Sequence, residues 1–240
     1  MQIKDSVVFV TGANRGLGLA FARAALAGGA KKVYAAARDP ASITLAGVQP
    51  VALDVTRPDQ IEAAARACGD VDLLINNAGI SRGVSLFGTS DAFDAARAEF
   101  ETNFFGPWAM SRAFAPVLAA NGGGAIVNVL SVLSWLTLPT AATYSASKSA
   151  AWSLSNGLRS ALREQGTQVL SLHVAFMDTD MASGAPGPKA SPDDVAKQTF
   201  DALEAGQFEL LADPLTRQVK AGLSADAPPY AVNPAANPAG

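Results

Sequence analysis

The chain has 240 residues, 49% of them hydrophobic, and a formal net charge of -3 with no long run of Lys or Arg. That is enough apolar material for a full core, and the charge balance argues against nucleic acid as a partner. Cys68 is the only cysteine and His173 the only histidine, which leaves no disulfide framework and no zinc cluster, so no metal site is expected.

No apolar segment reaches the roughly 20 residues that span a bilayer. The start, M-Q-I-K-D-S-V-V-F-V, has a short apolar run followed at once by Thr-Gly and lacks a cleavable-signal pattern. The expectation is a soluble, cytoplasmic protein with no membrane partner.

In chain order, residues 6–10 form the first buried-strand signal and run into T-G-A-N-R-G-L-G at 11–18, ahead of a helical stretch at 17–27. Glycines between a strand and a helix let the backbone turn tightly and approach a ligand. The helix start offers free N–H groups and a positive dipole end to a pyrophosphate. The spacing is G-x-x-x-G-x-G rather than G-x-G-x-x-G, so it is the loop's place that carries the reading. Gly12, Asn14, Arg15, Gly16, Leu17 and Gly18 are the candidate dinucleotide contacts.

The second strand, 32–36, ends in A-A-A-R-D-P. An acid at that strand end would bond a ribose and select NAD; the aligned position is Ala36 or Ala37. Arg38 follows, with Arg15 nearby, and two arginines suit a 2′-phosphate. NADP(H) is therefore favoured over NAD(H), with Asp39 as the acid that a one-residue shift would bring to the ribose.

Further strand signals fall at 49–53, 73–75, 125–130, 169–174 and 208–211. Helical spacing occupies 58–67, 92–119, 143–164 and 191–205. Alternation from end to end predicts an α/β fold, one doubly wound parallel sheet with helices on both faces. A single domain is expected over 1–223, with an irregular tail at 224–240. Ser191-Pro192-Asp193-Asp194 marks a helix start.

The helix at 143–164 opens T-Y-S-A-S-K-S-A. Tyr144 and Lys148, four apart, share a face. A free phenol titrates near pH ~10, and a neighbouring ammonium favours its ionised form. Small residues at 145–147 leave room for a cofactor ribose. The plain alternative is a solvated helix pair.

T-G-x-x-x-G-x-G at 11–18, N-N-A-G at 76–79, Asn103, Ser131 and Y-x-x-x-K at 144–148 together resemble the short-chain dehydrogenase/reductase family over about residues 6–181. The resemblance implies a Rossmann-type sheet of seven strands and hydride transfer between NAD(P)H and a small carbonyl or alcohol. It also implies a homodimer or homotetramer joined through the long helices. It gives Tyr144 the acid–base role, Lys148 the nicotinamide ribose, and Ser131 the carbonyl oxygen, with Ser134 as rival. Asn103 matches the asparagine that kinks its helix. Asn77, Ala78 and Gly79 match the segment against the adenosine and ribose, and Asp54 and Val55 the pair that holds the adenine. Met177 and Thr179 match positions at the nicotinamide carboxamide. The family's P-G-x-V-x-T is replaced by V-A-F-M-D-T at 174–179, which puts the substrate in doubt more than the chemistry.

His173 lies in an apolar strand and reads as a core histidine with a backbone partner. Trp135, Leu136, Leu138, Phe176, Met177 and Met181 suggest an apolar or aromatic substrate lobe, with ordinary core packing as the alternative. Segment 182–190 matches the family's substrate lid and is short. An NADPH-dependent carbonyl reductase is the leading expectation. The alternatives are a ketoreductase for acyl-carrier or polyketide-type substrates, which would use Arg82, Arg97 and Arg112, and a non-catalytic NADP-binding regulator. An epimerase or dehydratase would want a longer C-terminal domain.

Overall fold

The computed structural model describes residues 1–88, 91–182, 184, 187 and 189–231. Seven strands form one parallel sheet: β1 (Val7–Thr11), β2 (Lys32–Ala37), β3 (Gln49–Ala52), β4 (Leu73–Asn76), β5 (Ala125–Val129), β6 (Gln168–His173) and β7 (Glu209–Leu211). Their order is β3-β2-β1-β4-β5-β6-β7. Every residue of β1 is buried, because a parallel sheet is covered on both faces and needs near-continuous apolar strands. Val8 and Val10 point into the core with α1 (Gly16–Ala27) and α6 (Pro192–Glu204), while Val7 and Phe9 face α2 (Pro58–Ala67) and the helix carrying Phe114.

The helix expected over 92–119 is broken. α3 (Ala92–Phe100) passes into a π-helical turn, Glu101–Phe105, and then into α4 (Gly106–Ala120). Pro107 has no N–H to give to the carbonyl four residues back, and the buried Asn103 amide is tied to other elements. Both favour a widened turn at this point. α5 runs from Ala142 to Ala161, three residues short of the expected end.

Ser191 caps α6 by accepting from the Asp194 amide, as expected from S-P-D-D. One further helix, α7 (Pro214–Gly222), was not expected; Asp213 caps it through the Thr216 amide. The beginning of the predicted tail, 224–231, is turned, with Pro229 packed close to Gly222. The rest, 232–240, lies outside the described residues, as do lid positions 183, 185, 186 and 188.

Candidate active site

The chain goes from β1 outward to β2 and β3, then returns to β4 on the other side of β1. The carboxyl ends of β1 and β4 therefore diverge and leave a crevice. Both candidate loops open into it. Thr11, at the end of β1, pins them together: its hydroxyl accepts from the amides of Asn77 (2.9 Å) and Ala78 (3.0 Å). In return, Asn77 Nδ2 donates to the carbonyls of Thr11 (2.8 Å) and Gly12 (3.2 Å). The sequence signal for Thr11 was the first letter of the glycine motif, and it was given no role.

Gly12 and Gly16 have φ of +65° and +54°, a region that favours glycine. Gly18 is needed for another reason. A Cβ there would sit 2.1 Å from the Gly12 carbonyl oxygen, so α1 packs directly onto the loop. Arg15 is the N-cap of α1 and makes no side-chain cap, so the helix start presents backbone donors rather than a closed cap. A bare cradle at a helix N-terminus fits the pyrophosphate of a nicotinamide dinucleotide. Leu17 turns its side chain into the core, so only its backbone can serve the cofactor; Asn14 is half-buried beside it.

On the adenosine side, β2 ends at Ala37 and exposed Arg38 follows. Asp39 is used locally: it accepts from the Ala41 amide and caps the short turn Pro40–Ser42. Asp54 Oδ1 accepts from both the amide and the hydroxyl of Thr56, and Val55 is buried against Gly106. Arg15 forms an exposed ion pair with Asp180 at 2.9 Å. Thr179 lies against the glycine loop, 3.4 Å from where a Gly16 Cβ would stand.

The sequence-selected catalytic group converges on the same crevice. Tyr144 and Lys148 are one turn apart on α5, with Nζ 5.7 Å from the ring centroid. Lys148 Nζ donates to the Val129 carbonyl at the end of β5 (2.8 Å). Ser131 follows β5, and its side chain is close enough to the Tyr144 hydroxyl to favour the phenolate. The rival, Ser134, is engaged elsewhere: its hydroxyl takes the Ser131 amide and its carbonyl takes the Ser149 hydroxyl. Asn103 Oδ1 accepts from the Ile80 amide (2.9 Å), and Nδ2 donates to the Ile80 carbonyl (2.9 Å) and to Ser147 Oγ (3.0 Å). Gly79 stands between the halves: a Cβ there would be 3.2 Å from Asn103 Oδ1 and 3.6 Å from Lys148 Nζ.

Burial dominates the electrostatics. It pushes Tyr144 up to about 12, against the pull of Ser131 and with help from the Glu99 charge. The ring keeps part of its surface open, but its hydroxyl end is deep. Burial also pulls Lys148 down to about 8, and in the protein alone Tyr144 stands raised rather than lowered, against the expectation from the sequence pattern.

His173 is held near 3 by burial. Its Nδ1 lies 3.2 Å from the Ser131 carbonyl, which requires the Nδ1–H tautomer. It is a core residue that braces the Ser131 backbone. Trp135, expected at the rim, belongs to the same packing: it stacks on His173 at 3.9 Å and meets Trp152 edge-on. Leu136 and Leu138 pack against that cluster, Phe176 and Met177 are half-buried and Met181 is exposed. Leu86 and Phe87, on the loop after β4, are exposed apolar residues that composition did not single out.

At V-A-F-M-D-T, no described non-glycine residue other than Asp5 has a positive φ, so Ala175 fits without strain. Its amide donates to Asp213 Oδ2 (2.8 Å), and the Val174 carbonyl accepts from the Val132 amide (3.0 Å). Met177 pairs with Ala190 in an isolated parallel bridge.

A family model described as short chain dehydrogenase matches residues 6–188. The chain belongs to the short-chain dehydrogenase/reductase family. A solved short-chain dehydrogenase from Burkholderia cenocepacia, in complex with NADP, is 41% identical with a TM-score of 0.90 over 94% of this chain and 95% of that one. A short-chain dehydrogenase/reductase from Burkholderia phymatum, in complex with NAD, is 26% identical with a TM-score of 0.81, covering 92% and 94%. Among curated proteins, the 1-deoxy-11-beta-hydroxypentalenate dehydrogenase of Streptomyces exfoliatus is 30% identical over 89% of this chain and 85% of its own. Dehydrogenase/reductase SDR family member 7B of Bos taurus is 33% identical over 76% of this chain, which spans 61% of that protein's length.

The buried Lys148 gives a stability prediction. With its folded value near 8 and its unfolded value at 10.5, the unfolded chain holds more protons between those pH values. Stability from this group therefore rises with pH there, by at most about 1.4 kcal/mol per unit. Urea unfolding of cofactor-free protein and Lys148→Met should show the variant's relative advantage shrinking from pH ~8 to ~10. A constant difference across that window would refute it.

Proposed function

We propose that the protein is an NADPH-dependent carbonyl reductase, and in reverse an alcohol dehydrogenase, with Tyr144 as its acid–base group. The observation that carries this reading is the convergence of Tyr144, Ser131 and Lys148 at the carboxyl edge of the sheet, beside a glycine cradle. When bound, the cofactor supplies or accepts the hydride. Tyr144 donates its proton to the carbonyl oxygen as negative charge grows there, and the Ser131 hydroxyl gives that oxygen a second hydrogen bond. Lys148, anchored to the Val129 carbonyl, would hold the nicotinamide ribose and favour the phenolate that Tyr144 becomes. Met177 and Thr179 would hold the carboxamide side, and Asp54, Val55, Asn77 and Ala78 the adenosine side.

NADP preference is supported by exposed Arg38 at the end of β2 and by Asp39 being committed to its own turn. The Burkholderia cenocepacia relative bound to NADP points the same way. Arg15 would have to leave Asp180 to join Arg38 on the 2′-phosphate. Leu86 and Phe87 on the loop after β4, and Phe176 and Met181 on the segment after β6, favour an aldehyde or ketone with an apolar or aromatic body. An acyl carrier finds little basic surface here: Arg97 is paired with Asp94, and Arg82 shares a cleft with Asp91 and Asp94. No described helix is long and apolar enough to cross a membrane, and we place the enzyme in the cytoplasm.

A second copy of the chain is expected on α4 and α5. There Phe104, Trp108, Ala150, Ser153 and Leu154 line an open groove of about 320 Å³. Phe105 and Trp108 remain 44% and 46% exposed beside it, a contiguous apolar face of the kind that marks an interface.

In an absorbance screen of aromatic and aliphatic carbonyls, NADPH should be consumed. Tyr144→Phe should lower kcat by about 100-fold or more with NADPH affinity retained. Full activity in that variant would remove Tyr144 from the chemistry. Arg38→Ala should cut kcat/KM for NADPH by about 10- to 100-fold while leaving NADH within a few-fold; equal losses with both cofactors would count against the NADP reading. Light scattering should give a mass of two or four chains, reduced to one in Trp108→Glu. A monomeric parent would overturn the oligomer.

A further inference from the structure

Glu99, on α3, is fully buried and one of its oxygens is used. Oε1 accepts from the Arg82 amide at 2.6 Å. Oε2 is buried and has no hydrogen-bond partner among the described residues. Burying a carboxylate with half its acceptors unmet is costly, and an ordinary helix position would hold an apolar residue there. Glu99 therefore calls for an account that the chemistry above does not supply.

Its neighbours suggest one. Four residues on, Asn103 bonds the amide and carbonyl of Ile80. Glu99 bonds the amide of Arg82, two residues further along the same loop. Two side chains at helical spacing thus hold alternate residues of the segment leaving β4, much as a neighbouring strand would. α3 also packs against α5, and the two run in the same direction, since each lies in a crossover between parallel strands. Asn103 meets Ser147 across that contact. One turn earlier on each side stand Glu99 and Thr143, and Thr143 Oγ1 is likewise buried without a partner among the described residues. Tyr144 comes next.

We propose that Glu99 is a positioning residue of the hydride-transfer site, clamping the loop wall at Ile80–Arg82 to α3 and placing a carboxylate beside the Tyr144 turn. The inference rests on the oxidoreductase reading only for its second half. The charge of Glu99 works against a phenolate at Tyr144, opposing Lys148 from across the site. The other groups around Tyr144 do not take this part. Ser131 and Thr143 are neutral hydroxyls, and His173 is neutral. Arg82 turns an exposed side chain away to the surface cleft. Lys220, on α7, is paired with Glu209 at 2.9 Å and lies over the rings of Trp135 and Trp152.

Glu99→Gln keeps an acceptor for the Arg82 amide and removes the charge. Glu99→Leu removes both, and Glu99→Ala is a second such variant that opens space instead of filling it. Amide hydrogen exchange over residues 80–84 should quicken by about tenfold in the leucine and alanine variants, as for loss of one hydrogen bond, and stay near parent in Glu99→Gln. The limb of the pH profile for alcohol oxidation that reports Tyr144 should move to lower pH by about half a unit or more in Glu99→Gln. The sign follows because removing a nearby negative charge favours the phenolate. Equal exchange in all variants overturns the clamp. An unmoved limb in Glu99→Gln, with exchange intact, overturns the charge role. The exchange measurement needs no turnover, so its failure is separable from failure of the carbonyl-reductase reading.

Discussion

One buried amide holds the two halves of the site in register. Asn103 is 1% exposed, and its three hydrogen bonds reach the loop after β4 and the helix that carries Tyr144 and Lys148. Without it, the wall formed by Gly79 and Ile80 would lose its direct hydrogen-bonded link to α5. The cost is local. The helix widens into a π turn around this residue, and Pro107 makes that widening cheaper by having no N–H to lose. The same turn marks the break between α3, which faces the loop, and α4, which faces the sheet.

The remaining groups are set by a contest between burial and charge. Desolvation weakens Lys148 as an ammonium and Tyr144 as a phenolate together. Tyr144 is held neutral and Lys148 is made easier to deprotonate, which makes the site sensitive to any ion brought in. That is a stability liability placed where function needs it: an active site with unsolvated titratable groups is paid for by the rest of the fold. The two cores on either face of the sheet supply that support.

Much of this was legible from residues alone. Strand runs and the glycine cradle follow from short-range rules, and the observed strands differ from the expected ones by a residue or two at their ends. Tyr144, Lys148, Ser131 and Asn103 were legible through motif spacing, and all four lie at one edge of the sheet. What escaped depends on side chains that meet only after folding. The π turn needs Asn103 to find Ile80, 23 residues away. That Ser131 and Ser134 cap one short turn reciprocally is likewise a product of folding. Trp135 looked like a rim residue because its segment borders the site, yet its ring stacks on His173. Nothing in the spacing around Glu99 marks it as buried; that is a product of folding. The α7 start, D-P-L-T, carries the same cap-and-proline signal as S-P-D-D.

Asp213 joins that last helix to the heart of the molecule. One carboxylate caps α7 through Thr216 and also takes the amide of Ala175, just past β6, where the family more often has glycine. The turn after β6 and α7 are therefore joined through one side chain. Loosening α7 would release the bond that fixes the Ala175 amide, so this helix is a brace for the turn after β6.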